Sequence, residues 1–231
     1  MEDPQTGIRE LNLSDPNLPG TWEILFRRAL LLIDEIDQHG KKDPFWTFGG
    51  GTALMLRYAH RFSKDIDIFV PDPQSLGFVT PRLSSVAESL TTEYQEAAMY
   101  VKLYFPEGEI DFVAAPNLTS PGFETLTILG RKVNLETPAE IIAKKMWHRG
   151  DRITGRDIFD FALVDEREPA SLRRHAKFMT RHAESIFQQL DERYEPLKTQ
   201  FEAVDTLTFR PSFDEACAKL RASLENMAAK R

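Results

Sequence analysis

Residues 65 to 70 read Asp-Ile-Asp-Ile-Phe-Val, a run in which acids alternate with isoleucine before Pro71 ends it. A period of two is typical of a β-strand with one apolar and one polar face, and proline cannot continue a paired strand. The run therefore predicts a sheet whose apolar face is covered by other elements. It also places Asp65 and Asp67 on one face, about 7 Å apart at their α-carbons.

The segment before this strand further limits the folds that the chain can adopt. Residues 45 to 48 are mostly apolar and run into Gly49, Gly50 and Gly51, and residues 52 to 58 have the composition of a helix. Backbone N–H groups and the dipole at the start of a helix favour a bound phosphate, and glycine lets the chain approach it closely. The unit of strand, glycine turn and helix predicts either a phosphate cradle or a tight turn without a ligand.

The rest of the first half alternates between helical and strand patterns. Its predicted elements are helices from Thr21 to Gly40 and over residues 82 to 92, one hairpin of residues 99–105 and 109–114, and another of residues 126–129 and 133–135. Thr21 is the candidate N-cap of the first helix. These elements predict a sheet with helices around it.

The pattern changes at Thr137, after which the chain reads as helical throughout. Thr137, Pro138 and Glu140 form the sequence of a capping box with proline at the first helical position, and this helix is expected to run to Gly150. Further helices are expected at about residues 153–166, 169–190, 191–204 and 212–229. We predict an α+β fold in which a mixed sheet bears the site and a helical region closes the cleft. We expect the chain to be divided into a loosely ordered leader (1–20), an α/β core (21–136) and a helical C-terminal region (137–231).

Composition excludes several classes of protein. The chain has 231 residues and one cysteine, so no internal disulfide can form. The first ten residues are acidic and polar, and no apolar run approaches the roughly 18 residues of a membrane span. We therefore expect a cytoplasmic protein without a membrane partner.

The net charge of −7 argues against capture of nucleic acid by the whole surface. Basic residues are nevertheless concentrated in two islands, Lys144, Lys145, His148, Arg149, Arg152 and Arg156, and Arg173, Arg174, His175, Lys177, Arg181 and His182. Such islands suit a triphosphate or RNA, and the alternative is an ordinary solvated helix face.

Asp65 and Asp67 carry like charges on one strand face, which is unfavourable unless a cation lies between them. Hard divalent ions with oxygen ligands, above all magnesium, are held in this way against substrate phosphates. The alternative is a solvent-facing strand side neutralised by Arg61 and Lys64.

Two stretches resemble the nucleotidyltransferases of the AbiEii toxin family, within the polymerase-beta-like superfamily. GGGTALMLRYAHRFSKDIDIF is similar to the first family motif, with matching positions Gly50, Gly51, Thr52, Arg61, Ser63, Asp65 and Asp67. TPAEIIAKKMWHRGDRITGRDIFDF is similar to the second signature, with matching positions Lys145, Arg149, Arg156, Asp157 and Asp160. The resemblance covers roughly residues 45 to 165.

The resemblance implies that Gly51 and Thr52 hold a triphosphate, and that Asp65 and Asp67 bind the bridging metals. It also implies a third carboxylate on a neighbouring strand. Asp111, flanked by Ile110 and Phe112, is the candidate that would complete the metal site and accept the proton of the attacking hydroxyl. Glu109 projects to the same face and is the rival.

The second signature supplies cations and further acids. Lys145 could neutralise phosphate charge, and Arg149 offers a fork suited to phosphate. The alternative for this pair is an exposed stripe, since the two are one helical turn apart. Asp157 and Asp160 share a helix side next to Arg156, and they fit either a structural ion network or a functional role.

The function implied is transfer of a nucleoside monophosphate from an NTP to a hydroxyl, assisted by two magnesium ions. By resemblance, the acceptor would be an RNA 3′ end such as that of tRNA, and the chain would be the toxin of a toxin–antitoxin or phage-defence pair with a cognate antitoxin. The alternatives are an antibiotic-type transferase with a small-molecule acceptor, an inert interaction module of the same fold, and a metal-dependent nuclease.

Overall fold

The computed structural model describes residues 9–10 and 20–229. The chain forms two compact units. The first comprises Met1–Arg57, Ser63–Asn117 and Phe123–Glu136, and the second comprises Tyr58–Phe62, Leu118–Gly122 and Thr137–Arg231. Apart from residues 9, 10 and 20, the predicted leader lies outside the described residues.

The first unit holds a mixed β-sheet and three α-helices among the described residues. Its strands are β1 (Arg9–Glu10), β2 (Thr47–Gly49), β3 (Ile66–Val70), β4 (Tyr94–Ala97), β5 (Tyr100–Phe105), β6 (Gly108–Ala114), β7 (Phe123–Ile128) and β8 (Arg131–Glu136). Its helices are α1 (Thr21–His39), α2 (Gly50–Tyr58, whose last residue is assigned to the second unit) and α3 (Ser85–Leu90), with a 3-10 helix over Pro73–Phe78. Both predicted hairpins are confirmed, as β5–β6 and β7–β8.

The sheet order within the described chain is β1-β7-β8-β2-β3-β6-β5-β4. β3 lies in the middle, antiparallel to β2 and parallel to β6. Its isoleucines and Val70 are buried, whereas Asp67 and Phe69 are half-buried, as the period of two predicts. The mixed sheet flanked by helices confirms the predicted α+β fold.

Helix α1 covers the apolar face of the sheet and packs against β3 and β6. Phe26 of α1 stacks on Phe48 of β2 with ring centroids 4.8 Å apart, and Phe48 is the register partner of Ile68. The predicted cap was wrong by one residue: Gly20 is the N-cap and makes no side-chain hydrogen bond. Trp22 and Leu25, near this end of the helix, are both buried.

The second unit is helical. It contains α4 (Pro138–Arg149), α5 (Gly155–Arg167), α6 (Pro169–Arg174), α7 (Ala176–Met179), α8 (Ala183–Glu192), α9 (Tyr194–Glu202) and α10 (Phe213–Ala228), with a 3-10 turn over Gly150–Arg152. No helix in the described part of the chain is long and apolar enough to cross a membrane.

Two local predictions for this unit were wrong. The single helix expected over residues 169–190 is in fact three helices. The break between the second and third of them places His182 against Gly150. A Cβ added to Gly150 would lie 2.8 Å from the Cβ of His182. Thr137 caps α4 as predicted, accepting from the Glu140 amide at 3.2 Å. The Glu140 carboxylate, however, accepts from the amides of Leu118 and Thr119, and the Thr137 amide donates to the carbonyl of Gly122 instead.

Candidate active site

One row of residues crosses four neighbouring strands of the first unit. Gly49 of β2 is the register partner of Asp67 on β3, Asp67 is the partner of Asp111 on β6, and Asp111 is the partner of Lys102 on β5. Register partners share a sheet face, so both acids and the lysine lie on the side opposite to the buried isoleucines. The structure thus brings Asp67 and Asp111 together.

The glycine turn lies directly against this row. Gly50 has a φ of +71°, and a Cβ built there would lie 1.8 Å from Oδ2 of Asp67. Glycine is therefore required twice, for the left-handed backbone and for the space that the Asp67 carboxylate occupies. Helix α2 starts at Gly50, two residues earlier than predicted, so Gly50 and Gly51 form its first turn.

Thr52 and Ser63 fix the backbone that leads to the acids. The buried Thr52 hydroxyl donates to the carbonyl of Asp65 at 2.6 Å and lies 3.0 Å from the Ser63 hydroxyl. The Asp65 carboxylate in turn accepts from the amide of Glu109 at 3.0 Å. In this structure Thr52 orients Asp65; its predicted contact with a triphosphate stays a prediction.

Asp111 lies in a half-buried ion pair. Its Oδ2 is 3.1 Å from the Lys102 ammonium, which also bonds Glu109. Burial raises the pKa of Asp111, and the charge and hydrogen bond of Lys102 oppose that rise. Burial opposes the charge on Lys102, but its two carboxylate partners outweigh this and raise the pKa of Lys102.

Lys102 was not predicted as a site residue from the sequence, although the register of the hairpin indicates its position. The hairpin turn pairs Phe105 with Gly108, and counting outward from that pair places Lys102 opposite Asp111. A basic residue opposite a candidate catalytic acid on an adjacent strand is a contact that hairpin register alone predicts.

The acids of this face fit a hard divalent ion. Their donors are carboxylate oxygens, and Oδ1 of Asp111 is buried without a hydrogen-bond partner among the described residues. A buried acceptor left unsatisfied is costly, and a cation would satisfy it. Within residues 9–10 and 20–229 no three His, Cys, Asp or Glu side chains already form a ready-made metal cluster.

The second unit holds a separate, buried ion network centred on Asp160. Its Oδ1 lies 2.7 Å from Nε of Arg61 and 3.0 Å from Nε2 of His60, and its Oδ2 lies 2.9 Å from Lys145. Lys145 also bonds Asp157 at 2.7 Å. Asp157 closes a capping box with Thr154 at the start of α5.

Charge pairing sets the ionisation of this network. Burial alone would raise the pKa of Asp160, but the charges of Arg61 and Lys145, with hydrogen bonds from Arg61 and His60, hold it well below its usual range. Burial lowers the pKa of His60, and the contact with Asp160 only partly offsets this. Asp157 and Asp160 raise the pKa of Lys145 against the effect of burial.

The cations from the two motifs therefore have different surroundings. Arg61 and Lys145 are paired in the buried network, so the interpretation of Lys145 as part of an exposed stripe is wrong. Arg149 is half-exposed, 3.7 Å from Asp157, and Arg156 is exposed. The structural ion network considered for Asp157 and Asp160 exists. Nucleotide binding by Arg61, Lys145 and Arg149 stays a prediction.

Comparison with known families identifies the chain. The family model described as "Nucleotidyl transferase AbiEii toxin, Type IV TA system" matches residues 31–226. The chain belongs to the AbiEii nucleotidyltransferase family. The match spans both motifs and the helical unit, so the resemblance to this family is confirmed and the activity of the chain is nucleotidyl transfer.

Several solved structures are similar to this chain, and the MenT4 structure supports the assignment of its fold. MenT4, a nucleotidyltransferase toxin from Mycobacterium tuberculosis, is 16% identical with a TM-score of 0.53, covering 90% of this chain and 82% of that chain. JHP933 from Helicobacter pylori is 15% identical with a TM-score of 0.47, and the match covers 92% of this chain and 94% of that chain. ANT(2″)-Ia in complex with adenylyl-2″-tobramycin is 16% identical with a TM-score of 0.46, and the match covers 68% of this chain and 99% of that chain. No curated protein sequence matches the chain.

Proposed function

We propose that this chain transfers a nucleoside monophosphate from a magnesium-bound NTP to a hydroxyl on RNA, with Asp65, Asp67 and Asp111 as its catalytic acids. The observation that carries the proposal is the register of Asp67 with Asp111, with Gly50 packed against Asp67. A carboxylate pair next to a glycine-led helix start is the arrangement that a metal-bound triphosphate needs.

Asp65, Asp67 and Asp111 would hold magnesium, which when bound neutralises phosphate charge and orients the triphosphate. Asp111 is also the group proposed to accept the proton of the attacking hydroxyl. Its pKa is raised by burial, which brings a carboxylate closer to the pKa of an effective general base. The amides of Gly50 and Gly51, at the start of the nine-residue helix α2, are proposed to bind the triphosphate.

Lys145 and Arg149 are the proposed phosphate cations of the second motif. Lys145 is held by Asp157 and Asp160, so it is kept charged and fixed in position. Arg149 has a half-exposed guanidinium that can take a phosphate while keeping its weak contact with Asp157. Arg61 contributes in this proposal by fixing Asp160.

A basic, aromatic surface in the second unit supports RNA as the acceptor. The Arg181 guanidinium lies 3.9 Å from the Trp147 ring centroid, Trp147 contacts Phe178 edge to face, and the Lys177 ammonium lies 4.6 Å from the Phe178 ring. Bases stack on aromatic rings and guanidinium planes, while the cations attract phosphates. Burial and then the charges of Lys144 and Arg181 lower the pKa of His148, consistent with a positive potential on this surface.

The biological role proposed is that of a toxin whose activity a cognate antitoxin restrains, in the cytoplasm, where NTPs and tRNA are found together. The family to which the chain belongs is described as a type IV toxin–antitoxin family. A tRNA 3′ end offers a hydroxyl on an exposed single strand, the form of RNA that stacking surfaces select.

The proposal is tested by incubating the protein with each α-labelled NTP, magnesium and total tRNA, beside an Asp65→Ala, Asp67→Ala variant. Label on tRNA with the unaltered protein alone is the expected result, and it identifies the nucleotide. A parallel incubation with an aminoglycoside in place of tRNA, if it alone took up label, would transfer the proposal to a small-molecule acceptor. No label, with no calorimetric binding of magnesium-NTP, would overturn it in favour of an inert module.

A further inference from the structure

Lys102 is paired with one of the proposed metal ligands, Asp111, and it has two carboxylate partners. Its ammonium lies 2.5 Å from Glu109 and 3.1 Å from Asp111, and the side chain is only 25% exposed. Glu109 and Asp111 are two residues apart on β6, so both carboxylates reach the lysine from one strand face. The lysine therefore occupies one oxygen of the proposed third ligand.

An ammonium and a divalent ion held by one carboxylate repel each other, even when each contacts a different oxygen. The side-chain ammonium of Lys102 satisfies Oδ2 of Asp111, while the buried Oδ1 has no hydrogen-bond partner in the described part of the chain. A divalent ion binds carboxylate oxygens directly and carries twice the charge. Glu109 gives the lysine a second partner, so releasing Asp111 would break one ion pair and keep the other.

We propose that Lys102 is an exchangeable counter-ion of the metal site, paired with Asp111 in the metal-free protein and held by Glu109 alone once a divalent ion binds Asp111. The inference rests on the proposed function, because it takes Asp67 and Asp111 as metal ligands. It gives Glu109, the rival third carboxylate, a different role: Glu109 retains the displaced lysine.

The exchange predicts opposite effects for two substitutions on neighbouring strands. Lys102→Met removes the competing charge, so Mn²⁺ should bind about tenfold more tightly in the absence of nucleotide. Glu109→Gln removes the partner that holds the displaced lysine, so Mn²⁺ should bind more weakly than to the unaltered protein. Lys102→Arg should keep the competition, and Lys132→Met, on the exposed end of β8, is the matched control.

Free Mn²⁺ measured by electron paramagnetic resonance gives these affinities without any turnover, and Asp67→Asn separates the two proposals. If Asp67→Asn leaves Mn²⁺ binding intact, the metal site of the proposed function is wrong. If Asp67→Asn abolishes binding while Lys102→Met equals the unaltered protein, the exchange is overturned and the proposed function stands. Should Lys102→Met fail to fold, unchanged affinity in Glu109→Gln is sufficient to overturn the exchange.

Discussion

Asp67 and Asp111 are register partners on adjacent parallel strands, whereas Glu109 contributes its backbone amide to Asp65 and its carboxylate to Lys102. The two candidates for the third carboxylate therefore differ in position. Asp111 shares a row with Asp67, whereas Glu109 lies two residues earlier on the same strand and shares Lys102 with Asp111. This difference leads to the first prediction.

Asp111→Asn should lower kcat for nucleotidyl transfer by about 100- to 10,000-fold at saturating magnesium, the range for losing a general base. Glu109→Gln should lower it by less than about tenfold under the same conditions. Initial rates with labelled NTP would measure both. Equal losses in the two variants would contradict the assignment of Asp111.

Gly50→Ala should cost both stability and activity, because it adds a collision with Asp67 to the strain of a positive φ. Gly130 has a φ of +77° with nothing within 4 Å of an added Cβ, so Gly130→Ala isolates the strain. We expect Gly130→Ala to cost about 1 kcal/mol of unfolding free energy and to keep full activity. Urea denaturation and rate measurements showing the two variants to be equivalent would refute the close packing of Gly50 on Asp67.

Asp160→Ala should destabilise the protein by about 3–5 kcal/mol, because it leaves buried cations without their counter-charge. The control is Glu166→Ala, which breaks the exposed ion pair with Lys219 and should change stability by less than about 1 kcal/mol. The free energy of unfolding in denaturant measures both. The loss of stability in Asp160→Asn, which keeps the side-chain volume, should fall between those of the two variants. A loss of stability in Asp160→Ala no larger than that of the control would rule out a buried network.

His60 should make stability fall as the pH drops. Its pKa in the folded protein is below the unfolded value of about 6.5, so the unfolded chain takes up the proton first. The stability it confers is present above the unfolded pKa, is lost as the pH falls below it, and changes no further below the folded pKa. The unfolding free energy of His60→Gln should therefore decline less steeply between pH 7 and 5 (roughly the histidine range); parallel curves would exclude His60 as the cause.

Arg181→Ala should weaken RNA binding and reduce the slope of log affinity against log salt by about one. Trp147→Ala should weaken binding with little change in that slope, because stacking releases no counter-ion. Arg131→Ala, which removes an exposed arginine paired with Asp34 in the first unit, is the control and should change neither. Fluorescence anisotropy with single-stranded RNA at several salt concentrations distinguishes these outcomes, and a uniform loss across all three would argue against this surface.

Local periodicity was enough to predict β3, the glycine turn and both hairpins, because each rests on neighbouring residues. It failed for β4, whose residues are half-buried or exposed and so show no alternation. The Arg61–Asp160 pair joins residues 99 positions apart and leaves no local pattern, so Arg61 was expected at a nucleotide. Lys102 lay between these cases, since hairpin register places it opposite Asp111 but does not show that its ammonium also bonds Glu109.

The second unit contains Tyr58–Phe62, a segment inserted between α2 and β3 of the first. Through His60 and Arg61 this segment depends on an acid 100 and 99 positions further along the chain. A gene shortened to encode residues 1 to 136 would therefore remove Asp160, the buried acid that pairs with both of these basic side chains. Recombination or gene splitting at Thr137 would not yield two independent modules, so this enzyme is expected to be inherited and exchanged as one piece.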